Sequence, residues 1–309
     1  MKFIQYTTKE HPEDIRLGYL EDECVIDIGL REQGMPHTML QFLQNDYYLE
    51  RLKELKWKRP CCMKNLKDVL LKAPITGMDK VICVCLNYKD HCELHKIPIP
   101  PVPVIFSKFA SVVIGPSDPL LIRTDITCKV DWEVELCIVM GKKASCVKQC
   151  RAYEYIFGFT VANDVTARDW QRERNGGQFL LGKSMDTFCP VGPWIVTLDE
   201  LGSVDNLEIK CSLNGVNKQR SNTNQLIYKV PAIIERLTQL ITLLPGDIIL
   251  TGSPSGLGVY SNPPEFMKPG DILRSEIEKI GVLETRVERY IKPDDFPWQN
   301  YKIDKNCLY

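Results

Sequence analysis

The sequence predicts an α+β fold that is mostly β, and three observations carry that expectation. From Val81 onward, short apolar runs of strand type recur: VICVCLNY, PVIFSKF, VDWEVELCIVM, IFGFTVAND, PWIVTL, EIKCSLNG, DIILTG and ILRSEIEKIGVLETRVERYI. Helical periodicity is confined to a few segments. No internal repeat or low-complexity stretch breaks the pattern. Many strands with few helices suit a mixed, largely antiparallel β architecture.

Taken in order, residues 1–30 read as short strands with a turn near Glu21 and Asp22. Thr38 can cap a helix, with Gln41 three residues on, and LQFLQ followed by YYLERLKEL places apolar residues at helical spacing. WKRPCCMKNLKD interrupts that spacing, and LKAPITGMDK reads as a linker through Pro74 and Gly77. The expected organisation is a small N-terminal α/β domain over residues 1–75, a catalytic domain over 76–292 and an extended tail over 293–309. Within the second unit, VKQCRAYEYI and PAIIERLTQLITLL are the helical segments. The latter carries Pro231 in its first turn and an apolar stripe of Ile233, Ile234, Leu237, Leu240 and Ile241.

Bulk properties narrow the function classes. The 309 residues are 44% hydrophobic and 26% charged with a net charge of −1, so nothing in the balance favours nucleic acid. No apolar run approaches the ~18 residues of a membrane span. No presequence is visible in MKFIQYTTKEHPEDIRLGYL, which already alternates like a strand. The 13 cysteines form no paired CxxC spacing, and many sit in apolar runs, which suits a reducing compartment.

The segment GQFLLGKS, Gly177–Ser184, satisfies the phosphate-loop pattern. A phosphate loop follows a buried strand and opens a helix. Here charged DWQRERNG precedes it, bulky Phe179, Leu180 and Leu181 fill its middle, and Pro190 and Pro193 follow. A short strand is expected there and no nucleotide, which leaves Lys183 in need of another role.

Period-two alternation over Val130–Met140 puts Glu133 and Glu135 on one face, roughly 6.6 Å apart along the strand. That face turns apolar at Cys137 and Val139, so it is not expected to be a simple solvated edge. Paired carboxylates in a half-buried site repel unless a proton or cation lies between them, and a hard divalent cation is the natural occupant. Asp164, where the TVA run emerges into a loop, is a candidate third ligand; a turn or cap residue is the bland alternative. Arg168 and Gln171 follow on the same segment. A 2-oxo acid could fill open positions on such a cation, and Lys183 beside it would feel a lowered pKa and exchange a proton with the adjacent carbon. His91 and His95 have the i, i+4 spacing of a zinc pair, although Cys92 stands where a metalloprotease has its Glu. His91 reads equally as a base near the metal or as a structural residue. TGSPSGLGV, Thr251–Val259, is either a tight turn or a loop that binds a carboxylate.

DWEVELCIVMGK, GFTVANDVTARDWQ, FLLGKSMDTFCPVGP and DIILTGSPSGLGV together resemble the successive signature blocks of the fumarylacetoacetate hydrolase family, over roughly residues 80–290. NYKDHC, PVIFSKFASVVIGP and SNTNQLIYK place the chain nearest that family's domain-containing protein 2 group. The resemblance implies a mixed β-roll, a homodimer, and Mg²⁺ or Mn²⁺ on Glu133, Glu135 and Asp164. It implies Lys183 as the active-site lysine, Gln171 as a substrate contact, and His91 on a segment that orders over the site. Lys108, Arg168, Thr251 and Ser253 complete the candidate substrate-binding set. Family activities include C–C hydrolysis of acylpyruvates and fumarylacetoacetate, oxaloacetate decarboxylation and isomerisation of 2-oxo acids. The nearest group is associated with oxaloacetate tautomerisation in mitochondria; a cytoplasmic location is the alternative.

One position departs from the hydrolytic pattern. Where those members place a glutamate three residues after the histidine, this chain has Leu94, and Glu93 falls on another side of a helix. Loss of a general base costs hydrolysis typically 10²–10⁴-fold. Tautomerisation of oxaloacetate is therefore the leading expectation. Hydrolysis or decarboxylation of small 2-oxo acids is the runner-up, and an inactive dicarboxylate- or partner-binding protein is the alternative of another class.

Overall fold

A computed structural model describes residues 1–55 and 63–292. The expected C-terminal tail, 293–309, lies outside the described residues. A 12-stranded sheet contains, in spatial order, Met63–Asn65, Cys24–Asp27, Arg16–Glu21, Lys2–Thr7, Cys189–Thr197, Ile156–Asn163, Val134–Met140, Ile248–Leu250, Val81–Cys85 and Val104–Lys108. Most pairs are antiparallel, with Ile248–Leu250 parallel to Val81–Cys85. A second sheet of five strands orders Val216–Asn222, Glu208–Leu213, Ile272–Ile277, Gly281–Arg289 and Leu120–Ile122. The sheet runs without a break from the first 75 residues into the rest of the chain, because Lys2 and Phe3 pair with Val196 and Ile195.

Val134–Met140 lies at the centre of the large sheet and is buried along its whole length. Its alternation separates two cores. Val134, Leu136, Ile138 and Met140 pack into one with Trp132 and Phe159, whereas Cys137 and Val139 pack into the other with Phe3, Phe42 and Phe157. The unbroken strand expected over Val130–Met140 is interrupted. Val130–Asp131 pairs with Thr166–Ala167 in a separate two-stranded ladder. The break has an identifiable cause: the Glu133 N–H donates to the Asn163 side chain instead of continuing a ladder, at 2.9 Å. The Asp164 N–H in turn donates to the Glu133 carbonyl at 2.8 Å. Two chain segments thus bend together where the acidic residues sit.

Thr38 caps the helix Met39–Leu43, its hydroxyl accepting from the Gln41 N–H. The helix Val230–Thr238 buries Ile233, Ile234 and Leu237. It stops before Leu240 and Ile241, which stand 71% and 41% exposed, so the apolar stripe is shorter than its sequence spacing suggests. Gln149–Tyr155, within the other expected helix, forms tighter 3₁₀ turns. Leu180–Lys183 is one turn of helix, not the expected strand. Gly182 explains it: a Cβ there would lie 2.5 Å from the Gln171 backbone nitrogen and 2.8 Å from the Ala167 carbonyl oxygen. Only a residue without a side chain lets this turn sit against the helix Arg168–Arg172.

Candidate metal centre and active site

The bend at Glu133 and the end of the strand Ile156–Asn163 bring Glu133, Glu135 and Asp164 together. One carboxylate oxygen from each lies within 4.8 Å of the others, and all three residues are buried. Three buried negative charges this close require compensation. Lys183 Nζ lies 2.5 Å from Asp164 and 3.1 Å from Glu133, Lys108 Nζ lies 2.6 Å from the other Asp164 oxygen, and Arg168 reaches Glu133 at 2.7 Å.

The compensation is uneven. Burial pushes the Glu133 carboxyl up, but the charges of Lys183 and Arg168 outweigh it and bring it down to about 2. Glu135 accepts from the Gly252 N–H at 2.6 Å and makes no ion pair among the described residues. Burial, then the charges of Asp164 and Glu133, push Glu135 well above the usual carboxylate range. It therefore needs a proton or a cation, and a set of carboxylate oxygens in contact is the donor chemistry of a hard divalent ion. The residues fit such an ion.

For Lys183, burial alone would depress the pKa, yet the Asp164 and Glu133 carboxylates raise it. With the carboxylates unshielded, Lys183 is an ammonium, opposite in direction to the lowering expected beside a cation. Arg168 is likewise held charged against burial by Asp131 and Glu133.

A cavity of about 230 Å³ opens beside the triad. Glu133, Lys183, Arg168, Gln171, His91 and Ser253 line it, together with an apolar wall that includes Phe106, Phe179 and Leu257. Gln171 accepts from Arg168 at 3.0 Å, and Ser253 accepts from Gln219 at 2.8 Å. Two candidate substrate residues are not among the lining residues. Lys108 sits fully buried behind Asp164, bonded also to the Val165 carbonyl, and the Thr251 hydroxyl donates to the Leu136 carbonyl at 2.9 Å. The glycine-rich loop does bind carboxylates, but they are the chain's own. Gly252 N–H holds Glu135, while Gly258 and Val259 N–H groups hold Asp131 at 2.8 and 3.0 Å.

His91 lies in the helix Lys89–Leu94 and is 4% exposed. Burial, then the neighbouring His95, lowers its pKa, so it is neutral at physiological pH. Its Nδ1 has no hydrogen-bond partner among the described residues. The His91 and His95 rings lie 4.9 Å apart, and no carboxylate or thiol joins them in a metal-ligating group among the described residues, which disfavours zinc. Leu94 is 65% exposed and Glu93 is exposed too. Neither lines the cavity.

Sequence reasoning missed three participants. Asp131 anchors Arg168 at 2.8 Å as well as the glycine loop. Arg172 and Tyr260 line the cavity mouth. Arg172 carried a readable signal, being four residues after Arg168 on one helix; Tyr260 carried none.

The chain matches the family model described as the fumarylacetoacetate (FAA) hydrolase C-terminal domain over residues 80–288. It is 46% identical over 265 residues to a mitochondrial oxaloacetate tautomerase of Bos taurus, covering 85% of this chain and 83% of that protein. The fumarylacetoacetate hydrolase of Exiguobacterium antarcticum superposes with a TM-score of 0.80 at 31% identity, covering 94% of this chain and all (100%) of that one. Maleylpyruvate hydrolase of Sphingobium, solved with manganese(II) and pyruvate, superposes with a TM-score of 0.78 at 26% identity, again covering 94% and 100%. The chain belongs to the fumarylacetoacetate hydrolase family, and its buried acidic triad suits a divalent metal.

Proposed function

We propose that this member of the family is a metal-dependent enol–keto tautomerase of oxaloacetate, with Mg²⁺ or Mn²⁺ on Glu133, Glu135 and Asp164. The observation that carries the choice of isomerisation over hydrolysis is His91. Its imidazole is neutral, its Nδ1 has no hydrogen-bond partner among the described residues, and Leu94 and Glu93 both face solvent. A water molecule in the cavity would find no histidine–carboxylate pair to activate it.

When bound, the cation supplies Lewis-acid stabilisation of negative charge developing on the 2-oxo oxygen. The side chains do the rest. Lys183, an ammonium at the cavity floor, delivers a proton to carbon 3 of the enol. The proton leaving the enol hydroxyl restores the ammonium, with neutral His91 available as its carrier, so the cycle consumes no acid or base. Gln171, held by Arg168, fixes the substrate's polar end, and Phe106 and Phe179 exclude water from the reacting carbons. Family relatives named as mitochondrial support a mitochondrial location, and a homodimer is the expected assembly; fractionation and light scattering test these separately.

The decisive experiment follows enol-oxaloacetate by ultraviolet absorbance with purified protein, with Mg²⁺ or Mn²⁺ and after chelation. Metal-dependent acceleration with oxaloacetate conserved, abolished in Lys183→Ala, is the expected result. Accumulation of pyruvate would replace it with a decarboxylase.

A further inference from the structure

The helix Arg168–Arg172 carries two arginines in different states. Arg168 is committed inward, to Asp131, Glu133 and Gln171. Arg172, one turn along the same face and about 6 Å farther up the axis, lines the same cavity at its mouth. No carboxylate pairs with it among the described residues, whereas Glu173 is taken by Lys129 at 2.9 Å and Arg174 reaches Asp169 and the Ile126 carbonyl.

Arg172 is nevertheless held in place. Its Nη2 donates to the Tyr260 hydroxyl at 3.0 Å, and its guanidinium lies 5.3 Å from the centre of that ring. The opposite support comes from His95, whose ring stacks on Tyr260 at 4.0 Å and 25°. A positioned guanidinium with unused N–H groups is a bidentate carboxylate receptor. Arg172 and the triad's Glu133 line the same cavity, whose wall also includes the apolar Phe106, Phe179 and Leu257.

We propose that Arg172, braced by Tyr260, binds the distal carboxylate of the substrate and so selects dicarboxylic over monocarboxylic 2-oxo acids. The proposal rests on the reading of the site as one for 2-oxo acids and deepens it.

Calorimetry of the Mn²⁺-loaded protein with oxaloacetate and with pyruvate measures the preference in binding. The ratio of kcat/KM for enol-oxaloacetate to that for enol-phenylpyruvate measures it during turnover. Arg172→Gln should lower both ratios about 10–100-fold, the worth of a charged hydrogen-bonded contact. Arg172→Lys should lose most of the preference, since an ammonium lacks the fork, and Tyr260→Phe a smaller part, about 3–10-fold. Mn²⁺ affinity, set by the buried triad, reports folding in each variant. Ratios in Arg172→Gln within twofold of wild type, or a wild type that binds pyruvate as tightly as oxaloacetate, would overturn the subsite. A wild type that prefers oxaloacetate through Arg172 yet does not isomerise it would instead sink the tautomerase reading and leave the subsite standing.

Discussion

Replacing Gly182 with alanine tests why the chain carries a Gly-Lys pair without a nucleotide site. The new Cβ would lie 2.5 Å from the Gln171 nitrogen, 2.8 Å from the Gln171 Cα and 2.8 Å from the Ala167 carbonyl oxygen. All three are backbone atoms, so no side-chain rotation relieves the contact. Reaching ordinary separation, about 3.5 Å, requires the two helical turns to part by about 1 Å. Overpacking of this kind costs about 1–3 kcal/mol, or a melting point lower by several degrees at about 2–4 °C per kcal/mol. The functional effect should be larger. Lys183 is the next residue, and a displacement of about 1 Å at a positioned group can cost about 10²-fold. Gly177→Ala is the matched control. Gly177 has φ of 77° but open space around its Cβ, so that variant carries local strain and no collision with the site. Enol-oxaloacetate decay and thermal melts on both variants separate the explanations. A phosphate loop would make Gly177 the more sensitive position. If Gly182→Ala keeps its rate within twofold of wild type, the packing argument is wrong.

Four further outcomes are expected. Metal affinity should rise with pH: Glu135 is raised in the folded protein, holds its proton below that raised pKa and must release it to ligate, so titration with Mn²⁺ should release a proton, and Glu135→Gln should abolish the release. Lys183→Met should cut kcat about 10²–10⁴-fold while tightening Mn²⁺ binding, because it removes a cation competing for Asp164 and Glu133; weaker Mn²⁺ binding would contradict the geometry. The lowered His91 pKa means that its neutral form persists as pH falls through 6.5, so a kcat/KM break assigned to it by its loss in His91→Gln should lie below that value. Asp131→Asn should release both Arg168 and the Gly258–Val259 loop and raise KM, with a lower melting point; an unaltered KM would remove Asp131 from the positioning of the site.

The strands were legible because period two survives in Val134–Met140 even though both of its faces are buried, each against a different core. The acidic pair was legible for the same reason, and Asp164 because a strand end after an apolar run is a place where chemistry collects. What the sequence hid depends on pairings between distant segments. The break after Asp131 arises from the Asn163 side chain, 30 residues away, taking the Glu133 N–H. The one-turn helix at Leu180–Lys183 arises from contact with the helix Arg168–Arg172, which no local propensity records. Lys108 reads as a strand residue ending PVIFSK, and only the fold places its ammonium behind Asp164. The glycine loop was open to two readings, a tight turn or a carboxylate binder, and nothing local says that its N–H groups are filled by Glu135 and Asp131.

The charges assembled by those distant pairings also bear on what the cavity accepts. Glu133, Glu135, Asp164 and Asp131 supply four carboxyl groups, and Lys108, Lys183 and Arg168 supply three fixed cations in contact with them. With Glu135 protonated the buried cluster is neutral, the least costly state for a site out of water. Entry of a divalent cation with loss of that proton leaves one net positive charge. One carboxylate of a 2-oxo acid then restores neutrality, so a monocarboxylate satisfies the buried cluster completely. A second carboxylate finds no unmatched charge in that cluster, and Arg172, exposed at the mouth, is a further cation to meet it. The cluster alone therefore selects for an acid, and the guanidinium one helical turn away is what permits the acid to be a dicarboxylic one.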